Sequence, residues 1–128
     1  MAPLDGGAMK GLSVNEAIDR VLELNGQVVS VIGKLSLEFE GTCLYHIPRS
    51  EWRSNRDPYH SSIWVAFDLA QLQQPHEWLD QFDNRHVLLA GVISAPLEDF
   101  GGCGHFSLWP AELRVSAIRK IGGDGYVD

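Results

Sequence analysis

A chain of 128 residues, 45% hydrophobic and 21% charged, forms one domain with enough apolar material for a core of its own. Its composition excludes a disordered chain, and no apolar run approaches the ~20 residues of a membrane-spanning helix. Seventeen acidic residues against ten lysines and arginines give a formal net charge of −7. That sign is opposite to the one a general nucleic-acid binder needs, and it points to a protein partner, above all a basic one, or to a neutral small ligand.

In chain order, residues 1–12 read as a flexible tail with Gly6-Gly7 and no periodicity. The tail holds only Lys10 as a base and no apolar segment, so no signal peptide is expected, and the expected location is cytoplasmic. Ser13-Val14-Asn15-Glu16 has the form of a capping box. Val14, Ala17, Ile18, Val21 and Leu22 follow at helical spacing, and Asn25-Gly26 supplies a left-handed stop. A single helix of about eleven residues is expected, leading straight into a strand.

That strand is expected over Gln27–Glu40, with Val29, Val31, Leu35 and Leu37 on one face. Gly41-Thr42 turns it into a second, 43–47, closed by Pro48. A long polar loop, 48–62, bears Trp52 and Tyr59. A third strand covers 63–67, and Pro75 opens a short helix over 75–82 with Trp78, Leu79 and Phe82 as its apolar stripe. The fourth strand is 86–94, a glycine-rich connection spans 95–112, the fifth strand is 113–121 and a tail covers 122–128.

Two stretches echo each other. Val29-Ser30-Val31-Ile32-Gly33-Lys34-Leu35-Ser36 and Val87-Leu88-Leu89-Ala90-Gly91-Val92-Ile93-Ser94 share the pattern Val-x-(Val/Leu)-x-Gly-x-(Leu/Ile)-Ser. In each, glycine stands where an inward side chain is due, which marks a sharp bend or the close approach of another backbone. Two long strands kinked at mid-length suggest a small closed barrel.

Helix, three strands, short helix, two strands is the order in which the chain resembles the oligonucleotide/oligosaccharide-binding fold (OB-fold) over residues 25–121. The segments NGQVVSVIGKL and RHVLLAGVIS resemble its first and fourth strands. The resemblance implies a mainly β, five-stranded Greek-key barrel, here with an N-terminal helix added. It also implies that the 48–62 loop joins the second and third strands, beside the face where ligands commonly sit.

Candidate binding residues gather on the two long connections. Arg49, Arg53 and Arg56 surround Trp52 and Tyr59, a pattern that grips phosphates and stacks bases, yet Glu51 and Asp57 reduce the loop to +1. Trp52 and Trp109 lie on loops where burial is not implied, and an exposed aromatic beside arginine is a usual protein-interface anchor. His105 joins the candidate set from the glycine-rich connection. Trp64 and Trp78 fall on apolar faces and read as core.

Cys43, His46, Cys103 and His105 form a nominal zinc set, but strand alternation sends positions 43 and 46 to opposite faces. In a reducing compartment the two cysteines read as buried free thiols. No catalytic signature appears around Cys103 and His105, and no cofactor is expected. The expected function is non-enzymatic binding of a protein, as by an inhibitor or immunity-type chain that blocks a basic toxin or effector-like partner. The alternative is single-stranded nucleic-acid or nucleotide binding through the 48–62 loop.

Overall fold

The computed structural model describes residues 11–38, 41–54, 58–97, 101–103 and 108–121. Five strands form the barrel: β1 (Val28–Ser36), β2 (Cys43–Tyr45), β3 (Ser62–Phe67), β4 (His86–Ser94) and β5 (Glu112–Lys120). Their order is β1-β2-β3-β5-β4, and β4 pairs back onto β1 to close it. Every pairing is antiparallel except β3 with β5. This is the OB-type closed barrel with its Greek-key crossing. A two-residue strand, Leu12–Ser13, adds in parallel to the outer edge of β1.

Alternation decides which residues fill the barrel. Val29, Val31 and Leu35 of β1, Val87, Leu89 and Ile93 of β4, and Leu113 and Val115 of β5 point inward and are buried with Leu44, Ile63 and Val65. The two mid-strand glycines are sites of close backbone approach. A Cβ on Gly33 would stand 2.6 Å from the Tyr45 carbonyl oxygen, and one on Gly91 would stand 1.9 Å from that of Arg114. The register of β4 on β5 shifts between Ala90 and Gly91, so the second glycine sits at the bulge that lets β5 cross. Both glycines of the echoed pattern serve barrel closure.

The N-terminal helix is broken in two, α1 (Val14–Asp19) and α2 (Val21–Leu24). The expected capping box forms: Glu16 N–H donates to Ser13 Oγ (3.1 Å) and Ser13 N–H donates to Glu16 Oε1 (2.9 Å). Arg20, at φ −105° and ψ 13°, turns the second segment so that Val14, Ala17, Val21 and Leu24 cover the barrel. Leu22, expected on the apolar face, is 84% exposed because of that turn. Gly26 adopts φ +84°, the expected left-handed stop.

Three boundaries differ from the pattern-based expectation. The first strand ends at Ser36 because the Leu37 N–H donates to the Asp83 carboxylate (2.8 Å) and leaves the ladder. The second ends at Tyr45 because the His46 carbonyl accepts from Trp52 Nε1 (2.7 Å). Between β3 and β4, α3 (Leu69–Leu72) is followed by a 3₁₀ helix, His76–Phe82, not an α-helix. Its Leu79 and Phe82 are buried, and Trp78 meets Phe82 edge-on at 4.9 Å.

Candidate functional site

The described start of the 48–62 connection, residues 48–54, is tied down by side-chain contacts. Two 3₁₀ turns, Arg49–Glu51 and Pro58–Ser61, lie within the connection. His46 is the anchor: its Nδ1 accepts from the Asn15 N–H (3.1 Å), which leaves Nε2 to donate to Glu51 Oε1 (2.8 Å). Arg53 reaches the other way, to Asp19 (2.7 Å) and the Asn15 carbonyl (3.2 Å), and fastens the loop to α1. That pair is exposed and contributes little energy, but it takes Arg53 out of the ligand face.

Trp52 lies stacked on Tyr45, with ring centroids 5.2 Å apart and planes 19° from parallel. The Arg49 guanidinium covers Trp52 at 4.7 Å. With its indole N–H bound to the His46 carbonyl, Trp52 is held in one stacked cluster with Tyr45 and Arg49. Beside this stack a cavity of about 280 Å³ opens over the outer face of β1. Lys34, Ser36 and Glu38, alternate residues along one edge of the chain, form its floor, and Asn84 closes its far side.

The sequence-based candidates therefore divide into two groups. Arg49 and Trp52 stand at the cavity. Tyr59 and Trp109 belong to a neighbouring cluster on the outer face of β2 and β3, with Cys43, Cys103 and Trp64, which shares Tyr45 with the Trp52 stack. Trp109, expected exposed on its loop, is instead 4% exposed. The reason is a bridge in which the backbones of Cys103 and Trp109 exchange two hydrogen bonds (2.6 and 3.0 Å) and set the indole over β2–β3. There it packs on Tyr59 and Trp64, each at 4.9 Å between centroids. Trp64, expected in the core, is half-buried beneath it on the barrel exterior. Trp109 cannot serve as an exposed anchor in this arrangement. Arg56 and His105 lie outside the described residues.

The nominal zinc set does not assemble among the described residues. Cys43 and Cys103 share the aromatic cluster, while His46 spends both ring nitrogens on Asn15 and Glu51. No group of three metal-ligating side chains gathers among the described residues. Burial pushes both thiols up to about 11, which keeps them protonated and poorly nucleophilic. Burial, together with the neighbouring Cys43, also raises the Tyr45 phenol above its ordinary range.

Lys34, Ser36, Glu38 and Asn84 carry no signal in the sequence that singles them out as a site. The first three are visible as the polar alternation of the expected first strand, 27–40, which marks an outer face but not which part of it is hollow. Asn84 reaches the site through a left-handed turn (φ 59°) whose N–H donates to the Leu35 carbonyl at 2.8 Å, a long-range contact with no local signature.

No family model matches this chain, and no curated protein matches it in sequence. Solved structures share its fold. An OBody bound to hen egg-white lysozyme matches with a TM-score of 0.52 and 14% identity over 88% of this chain and 95% of that one. Asparaginyl-tRNA synthetase from Pyrococcus horikoshii, complexed with asparaginyl-adenylate, matches with a TM-score of 0.51 and 14% identity over 88% of this chain. The chain spans 22% of the length of that synthetase. No helix among the described residues is long and apolar enough to cross a membrane. The chain has an OB-type barrel fold.

Proposed function

We propose that this chain is a non-enzymatic binding module that docks a protein partner on the outer face of β1–β2. The observation that carries this reading is the Tyr45–Trp52–Arg49 stack at the cavity rim. Tyrosine, tryptophan and arginine are the residue types that dominate interface energetics, and here their rotamers are fixed before any partner arrives. The same stack weighs against single-stranded nucleic acid. Base stacking needs an open aromatic face, and the Trp52 ring is already engaged by Tyr45 and by the Arg49 guanidinium. Arg53, the second phosphate-gripping candidate, is engaged with Asp19. The barrel neighbour that binds lysozyme illustrates that this fold supports protein recognition. An inhibitor or immunity-type role is the finer form of the reading, in which occupation of the partner's surface is the whole activity.

The test is site-specific photo-crosslinking, with benzoylphenylalanine placed at position 38 in the cavity or at position 70, exposed on α3 outside it. The expected result is a discrete adduct from position 38 alone, sensitive to protease and resistant to nuclease. A nuclease-sensitive adduct, or identical adducts from both positions, overturns the proposal.

A further inference from the structure

Next to the cavity beside Trp52 lies a second hollow of about 440 Å³, lined by Asn84, Arg85, His86, Lys120 and Ile121. Asn84 lines both. The strand register sets the two side by side: Lys34 pairs with Tyr45 on one side and with His86 on the other, and the Ile121 N–H donates to the His86 carbonyl (3.0 Å). Taken together they form a groove across four strands, β2, β1, β4 and the end of β5, from Trp52 to Ile121.

Its charge is opposite to that of the chain. Lys34, Arg49, Arg85 and Lys120 line it against a single carboxylate, Glu38, a local balance of +3 (four cations less one acid). Since the whole chain carries −7, the rest carries −10. Among the described residues, Arg49, Arg85 and Lys120 form no salt bridge to a carboxylate. Arg49 and Lys120 instead lie over the rings of Trp52 and Phe82, at 4.7 and 5.7 Å. Arg85 is set by the backbone: the Leu35 N–H donates to its carbonyl (3.0 Å), and its own N–H donates to the carbonyl of Phe82 (3.1 Å). Cations spaced along a rigid groove, in a protein that is acidic elsewhere, are a recognition surface for separated negative charges.

We infer that this groove receives an extended, acidic segment of a partner protein, whose carboxylates pair with Arg49, Arg85 and Lys120. The inference rests on the protein-binding reading and names the partner's chemistry. It replaces a wholly basic partner with one that is acidic at the point of contact. A nucleic-acid strand fits this surface less well. Its charge is continuous along its length while the residues outside the groove sum to −10, whereas a peptide needs acidic residues only within the groove.

The test is fluorescence anisotropy of the intact chain with a labelled decapeptide alternating glutamate with serine and glycine. The probes for comparison are its glutamine counterpart and oligothymidylate of similar length. The expected result is saturable binding of the glutamate peptide that weakens as salt rises from about 50 to about 300 mM. The glutamine peptide is expected to bind at least about tenfold more weakly. Arg85→Glu should weaken the glutamate peptide by a similar factor, while Arg114→Glu, an equal charge change outside the groove, leaves it within about twofold. Absence of saturable binding, equal binding of the two peptides, or equal effects of the two variants overturns the inference. If it fails while position 38 still yields a protein adduct, the docking site stands and only the partner chemistry falls. Preference for oligothymidylate overturns both.

Discussion

Gly91→Ala is the substitution that tests barrel closure most severely. The added Cβ would stand 1.9 Å from the Arg114 carbonyl oxygen, 2.7 Å from its carbonyl carbon and 2.9 Å from Val115 Cα, all of them backbone atoms of β5. An ordinary carbon–oxygen contact is about 3.3 Å, so β5 has to retreat by about 1.4 Å at the bulge where it crosses β4. Overpacking of this kind costs about 3 kcal/mol, and hydrogen bonds lost from the ladder add to it. With a urea m-value of about 2 kcal/mol/M, the unfolding midpoint should fall by about 1.5 M or more. Gly26→Ala is the reference: Gly26 has φ +84° and an added methyl there would meet nothing within 4 Å, so only left-handed backbone strain of about 1 kcal/mol applies. The assay is equilibrium urea unfolding followed by far-ultraviolet circular dichroism and tryptophan fluorescence. A Gly91→Ala variant as stable as Gly26→Ala would refute the closure argument.

Four further outcomes follow from the described contacts. Ser13→Ala removes one half of the capping box and should cost about 1 kcal/mol in urea unfolding. Glu16 is held below its ordinary value first by the Ser13 backbone hydrogen bond and then by the Ser13 hydroxyl. A lowered folded value gives stability that is present above the unfolded value of 4.5 and lost as pH falls through the folded one, so Glu16→Gln should flatten the acid limb of the stability profile. Cys43 and Cys103, raised to about 11 by burial, should react slowly with an aromatic disulfide reagent at pH 8 in the native chain and promptly in denaturant; fast native labelling would contradict their placement under Trp109. Trp109→Ala should destabilise the chain by about 3–5 kcal/mol, as loss of a large buried aromatic does, whereas loss of an exposed side chain would cost less than about 0.5 kcal/mol.

What could be read from the sequence was what local rules control. Period-two alternation with glycine at its centre appears twice, and it marks the two long barrel strands, their inward faces and the need for close backbone approach at Gly33 and Gly91. Ser13 and Glu16 announce their capping box. Most departures from expectation involve partners distant in sequence. Asp83 ends β1 from forty-six positions away, and Trp109 is buried because its backbone bridge to Cys103 sets it over Tyr59 and Trp64. Leu22 faces solvent because of one non-helical residue, Arg20, which carries no breaker signal. The candidate site was half legible. Arg49 and Trp52 are recognisable as an arginine–aromatic pair, but the basic groove depends on β4 lying against β1 and on the end of β5 lying against β4, which net charge alone conceals.

The fixed Tyr45–Trp52–Arg49 stack is the proposed anchor of a protein partner, and everything said of function depends on it. Its most direct measurement is the affinity of the partner captured at position 38, by isothermal titration, for the native chain and for Trp52→Ala, with circular dichroism confirming that both are folded. The stack as an interface anchor predicts a loss of at least about 2 kcal/mol, roughly thirtyfold in Kd. An affinity changed by less than about threefold in a folded variant would contradict it, since that is the range of an interface residue outside the energetic centre.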